Sequence, residues 1–241
     1  MEALAYSPQE IRNIDRKIDG LLNRYAIPFE SDRLLGDLID REKIEANFFA
    51  KLVRAYIDPS YVWEENFEEF SVPVLIDYLQ RSHRYYLEDR LPNIGQYIFL
   101  LSTNYPKGHP LIKAMSDFFT PYCAHLSQHI REEENNLFPY ALDLYANVQV
   151  GARQPSILMS AYSVLDFADH HDDTEDVLRK FRKVLMAFEP CPMTETPYRI
   201  LSNLLRHFEQ DLEIHALIED KVLVPKLWTL ETQWAGQRSV K

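Results

Sequence analysis

Six side chains in this sequence have types and spacings that together suit a pair of metal ions. His129 and Glu133 stand four residues apart, as do His215 and Glu219. In both phrases an acidic residue follows the glutamate and a proline, Pro139 or Pro225, falls ten residues after the histidine. Each pair has a lone histidine upstream, His83 lying 46 residues before His129 and His171 lying 44 before His215. The chain thus repeats a unit, one histidine and then His-x-x-x-Glu, at an offset of 86 to 88 residues. Residues four apart on an α-helix differ by about 40° around the axis and about 6 Å along it, so each pair presents an imidazole and a carboxylate on one face. Two such helices facing inward, with one imidazole from each of two others, gather four nitrogens and two carboxylates. A carboxylate has two oxygens and bridges two cations, whereas each histidine terminates one, so the set reads as a dinuclear site. Left in an apolar core without metal, each unpaired polar group would lose roughly 1–3 kcal/mol of hydration. A nitrogen-rich, thiolate-free donor set suits iron, with zinc and manganese as alternative occupants.

Only helices can hold residues at that spacing, and the rest of the sequence reads as helix. Apolar residues recur three and four apart almost throughout, and only 6 of 241 residues are glycine. No glycine-rich nucleotide-binding loop is present. The first helix is marked by Ser7 as N-cap, Pro8 in the first turn and Glu10 completing a capping box, with Ile11, Ile14, Ile18, Leu21 and Tyr25 as its apolar stripe. A second follows near 41–56 with Ile44, Phe48, Leu52 and Tyr56 on one side. The pair forms an N-terminal helical hairpin over residues 1–59, and the acidic, aromatic stretch 60–71 reads as a linker. Four long helical patterns near 72–104, 109–146, 156–188 and 197–231 then describe an all-α, antiparallel up-down-up-down four-helix bundle over 72–231, followed by a tail at 232–241. Pro92, Pro121, Pro139 and Pro225 interrupt these patterns and are expected to kink or end helices.

The net charge of −11 gives no field toward nucleic-acid phosphates or an anionic membrane, so neither is an expected partner. The opening MEALAYSPQE lacks a secretory signal's basic and then apolar order, and no run approaches 18 apolar residues, which points to the cytoplasm. Cys123 and Cys191 are too few for a disulfide framework.

The phrases SHRYYLEDRLPNI, LSQHIREEENNLFP, ADHHDDTEDVL and LEIHALIEDKVLVP, in that order, resemble the hemerythrin-like (HHE cation-binding) family, over about residues 71–230. Within it the chain looks most like the iron-sulfur cluster repair di-iron proteins, which join a helical N-terminal domain to a hemerythrin-like bundle. The resemblance implies two iron ions, oxo- or hydroxo-bridged when oxidised, held by His83, His129, His171 and His215, with Glu133 and Glu219 bridging. It prefers His171 to His170 because the family's His-Asp pattern aligns with His171-Asp172, and Cys191 falls in a loop where many repair proteins carry a cysteine. The chain departs from these relatives in two respects. The stretch RYAIPFESDRLLGDL has no cysteine where repair proteins have an adjacent Cys-Cys pair, and histidines stand at 125 and 170 where relatives tend to carry carboxylates. His125, His170 and Asp211, the last being the counterpart of His125 in the repeat, are therefore candidates for positions around the ligands, as hydrogen-bond partners, proton carriers or an additional ligand. His109 and His207 read as loop and surface residues.

Two functions compete on this reading. One is a non-haem di-iron protein handling iron, oxygen or nitric oxide, including repair of stress-damaged iron-sulfur clusters, as monomer or homodimer with iron-sulfur proteins as partners. The other is a reversible oxygen-binding or sensing protein, with His125 or His170 as a fifth histidine. A metal bundle serving only as a scaffold is a third reading. No general acid, nucleophile or substrate pocket can be named, so an enzyme activity is neither expected nor excluded.

Overall fold

The computed structural model describes residues 2–58, 67–106, 108–151, 162–164, 167, 174–188, 190 and 194–239. Among the described residues every regular element is helical. Short helices α1 (Pro8–Ile14), α2 (Ile18–Arg24), α3 (Leu35–Arg41) and α4 (Ala46–Ile57) come first. Longer ones follow: α5 (Val72–Tyr85), α6 (Leu91–Asn104), α7 (Pro110–Glu132), α8 (Phe138–Gln149), α9 (Thr174–Met186), α10 (Glu195–Ile218) and α11 (Val224–Ser239).

The start of α1 follows its sequence signals. The Ser7 hydroxyl accepts from the Glu10 amide, and the Glu10 carboxylate accepts from the Ser7 amide, satisfying donors that the first turn leaves open. The expected single helix over 8–25 is broken, however, at Asp15. Its backbone is extended and its carboxylate accepts the Lys17 amide at 2.9 Å, a local turn that competes with helix continuation. Ile14, expected on the apolar stripe, is consequently 60% exposed. With α3 as an additional helix ahead of the expected second one, four short helices stand where the apolar period suggests two.

The chain divides into two compact units. One takes in residues 1–82, 132–171 and 214–241, and its core gathers Leu21, Phe49, Leu52, Leu75, Phe138 and Leu227. Arg24 is buried in it, donating to the Tyr56 hydroxyl and lying over the rings of Tyr56 and Tyr78. The other comprises 83–131 and 172–213, with Ile94, Met115, Leu126, Leu178, Leu205 and Phe208 at its centre and the Phe118 and Phe181 rings stacked 3.9 Å apart. In this second unit Arg179 and Arg182 of α9 both reach Glu209 of α10, at 3.2 and 2.5 Å, and Arg179 also pairs with Glu213 at 2.5 Å.

Three of the four prolines expected to interrupt helices do something more specific. Pro92, Pro139 and Pro225 are each preceded by a five-residue π turn, at Tyr86–Arg90, Glu133–Leu137 and Glu219–Leu223. A proline lacks an N–H, and its ring collides with the carbonyl four residues earlier. Here those carbonyls belong to Glu88, Asn135 and Lys221, the central residue of each π turn. The wider turn carries that carbonyl clear of the ring. The residue before each proline donates instead five residues back, Leu91 to Tyr86, Phe138 to Glu133 and Val224 to Glu219. Pro121 lies inside α7, which runs through it without a break.

Candidate metal centre

Five of the six residues singled out by spacing are described, and they sit in one repeated local setting. His83, His129 and His215 occupy the last turns of α5, α7 and α10, each just ahead of a π turn. Glu133 and Glu219 are the first residues of the second and third π turns. Five of the six expected ligands lie among the described residues, and their ligand atoms converge. One atom each from His83, Glu133 and His215 lie within 4.8 Å of one another, and so do one each from His129, Glu133 and Glu219. Glu133 thus belongs to both groups. His215 Nε2 stands 3.5 Å from Glu219 Oε2. His170, His171 and Cys191 fall outside the described residues.

Burial makes this grouping chemically pointed. Glu133 and Glu219 are both fully buried at 0% exposure, His83 and His215 are buried, and His129 is partly so. Of the acidic run at 132–134, Glu132 faces solvent and Glu134 accepts from Gln80 at 2.9 Å, which leaves Glu133 as the inward member. Removing a carboxylate from water costs several kcal/mol. Two carboxylates whose oxygens approach within 4.8 Å add a repulsion of about 3.5 kcal/mol at an effective dielectric constant near 20. Cations between them reverse the sign of that interaction. Imidazole and carboxylate donors without a thiolate are the set that first-row ions such as iron, manganese and zinc accept. The donor chemistry therefore fits metal.

The three further candidates separate. His125 is exposed and is not among the converging ligand atoms. Asp211, 3% exposed, accepts a hydrogen bond on Oδ1 from the Tyr86 hydroxyl at 2.9 Å. Tyr86 carries no motif that would have drawn attention to it. Its signal in the sequence is a register: it lies six residues before Pro92, as Glu133 and Glu219 lie six before Pro139 and Pro225. Of the two histidines read as peripheral, His109 precedes α7 and its Nδ1 accepts the Leu111 amide, while His207 borders Arg206 on the surface.

Among the described residues no helix is long and apolar enough to cross a membrane. No protein-family profile matches the chain. Among curated proteins it is similar to the iron-sulfur cluster repair protein ScdA of Staphylococcus haemolyticus, 21% identical over 161 residues, which covers 67% of this chain and 69% of that protein. It is also similar to the iron-sulfur cluster repair protein ScdA of Staphylococcus epidermidis, 20% identical over 157 residues, with 65% and 67% covered. Over about two thirds of its length the chain is thus similar to iron-sulfur cluster repair proteins.

Proposed function

We propose that this chain is a non-haem di-iron protein of the hemerythrin-like kind, built on a four-helix bundle, that handles iron, oxygen or nitric oxide and serves the repair of stress-damaged iron-sulfur clusters. The observation that carries the reading is the convergence of two fully buried carboxylates with three histidine nitrogens. The similarity to curated repair proteins supports the choice of iron and of repair. His83, His129 and His215 would hold the ions as terminal donors, His171 would complete the set, and Glu133, shared by both groups, would bridge with Glu219. Bound iron would supply open coordination positions for a diatomic ligand and a reversible change of oxidation state. The chain's own part is to keep the donors fixed and dry. The π turns set Glu133 and Glu219 at the start of a widened turn, and Leu137, Phe138 and Leu223 of the same segments are fully buried.

The repair reading is tested by incubating the iron-loaded protein with an iron-sulfur enzyme inactivated by nitric oxide or peroxide. Recovery of that enzyme's activity is expected to exceed recovery with free ferrous iron, and to vanish with Glu219→Ala. Equal recovery with free iron would remove the repair assignment while leaving the metal site standing.

A further inference from the structure

The first π turn has no carboxylate at its head. In the register where the second and third turns carry Glu133 and Glu219, it carries Tyr86. Tyr86 is 1% exposed, and its ring packs edge-on against Phe208 at 5.2 Å. Its hydroxyl donates to Asp211 Oδ1 at 2.9 Å, and Asp211 is itself buried. Tyr86 follows His83 by three residues on one helical run, and Asp211 precedes His215 by four on another. A phenol and a carboxylate hydrogen-bonded out of water, each about one turn from a histidine of the converging set, make an unusual pair. Packing alone would call for phenylalanine and an apolar partner, because burying the carboxylate costs several kcal/mol.

We infer that Tyr86 is a redox-active tyrosine and that Asp211 is the base that holds its proton, an inference that rests on the di-iron reading for its physiological oxidant. Oxidising a phenol by one electron makes it strongly acidic, so the step is easy only where an acceptor already holds the proton. Asp211 Oδ1 is that acceptor. The O–H bond of Tyr86 breaks, the proton passes along the 2.9 Å hydrogen bond to Asp211, and the electron leaves the ring, giving a neutral tyrosyl radical beside a carboxylic acid. Hydrogen peroxide is the oxidant class. It would take one electron from Tyr86 and one from a ferrous ion held by the site, and with two solvent protons it would leave as two waters. The second oxidising equivalent is thereby stored on a buried ring instead of attacking the ligands.

The test has an arm with metal and an arm without. Protein loaded anaerobically with ferrous iron and mixed with peroxide is expected to show the free-radical EPR signal of a neutral tyrosyl. Ring-deuterated tyrosine should narrow it. Tyr86→Phe should abolish it at unchanged iron content, and Tyr85→Phe should leave it. Full iron occupancy with no tyrosyl signal, or an equal signal in Tyr86→Phe, overturns the inference. Metal-free protein oxidised by light with a ruthenium polypyridyl complex and persulfate makes the decision independent of the metal site. A long-lived tyrosyl is expected there, lost in Tyr86→Phe and shortened in Asp211→Asn, with circular dichroism confirming that both variants fold. A radical of unchanged lifetime in both variants overturns the pairing even if the protein binds no iron at all.

Discussion

Replacing Glu133 by glutamine should change the sign of its effect on stability according to whether metal is bound. In the metal-free protein the Glu133 and Glu219 oxygens approach within 4.8 Å with both residues at 0% exposure, a repulsion of about 3.5 kcal/mol at an effective dielectric constant near 20. Glutamine removes the charge and keeps the shape. Its buried amide is imperfectly satisfied, at roughly 1 kcal/mol, which leaves a net stabilisation of about 2.5 kcal/mol. With metal present the order reverses. A ligand at a thousandfold excess over its Kd stabilises the native state by about 4.1 kcal/mol, and the variant forfeits that contribution. Urea unfolding followed by circular dichroism, once with chelator and once with ferrous iron under argon, reads both differences. Earlier unfolding of Glu133→Gln than of wild type in chelator, or an order of midpoints that iron leaves unchanged, would show that the two carboxylates do not burden the metal-free fold.

Other consequences concern the scaffold. The Glu10 carboxyl is held below its usual range by hydrogen bonds from the Ser7 amide and hydroxyl, so its contribution is present above the ordinary carboxylate range and lost as pH falls through it. Ser7→Ala should accordingly lower the thermal unfolding midpoint at neutral pH, and lower it less in acid. Lys43 ends the turn after α3 at φ 55°, so Lys43→Gly is expected to raise stability by about 1 kcal/mol, and a loss would show that its side chain matters more than its backbone. Glu209, 6% exposed and gripped by Arg179 and Arg182, should on change to alanine destabilise the chain by about 2 kcal/mol, a figure already discounted for the partly exposed arginines. Burial pushes the Cys123 thiol up to about 11, so alkylation at that residue, followed by mass spectrometry, should be slow at neutral pH and still accelerating at pH 10.

What was legible in the sequence follows from which interactions are local. The Ser7-Pro8-Glu10 cap spans one turn, and its bonds form as its residue types imply. His-x-x-x-Glu is likewise a one-turn pattern, and its repetition selected residues whose ligand atoms meet. The break at Asp15 was hidden because an apolar stripe continues across it, while a single side-chain bond to Lys17 decides the backbone. The prolines announced a disturbance without saying which kind. A π turn, a kink and a helix end all relieve the same collision, so the proline alone does not distinguish them. Tyr86 and Asp211 were beyond reach as a pair, since 125 residues separate two side chains that share one hydrogen bond.

Metal analysis of anaerobically purified protein reads whether His83, His129, Glu133, His171, His215 and Glu219 hold two metal ions, as proposed. After loading with ferrous iron and removal of excess, two irons per chain are expected, falling below one in His129→Ala and in Glu219→Ala while both variants keep their helical circular dichroism. Far less than two metals in the wild type, or an unchanged content in folded ligand variants, would contradict it.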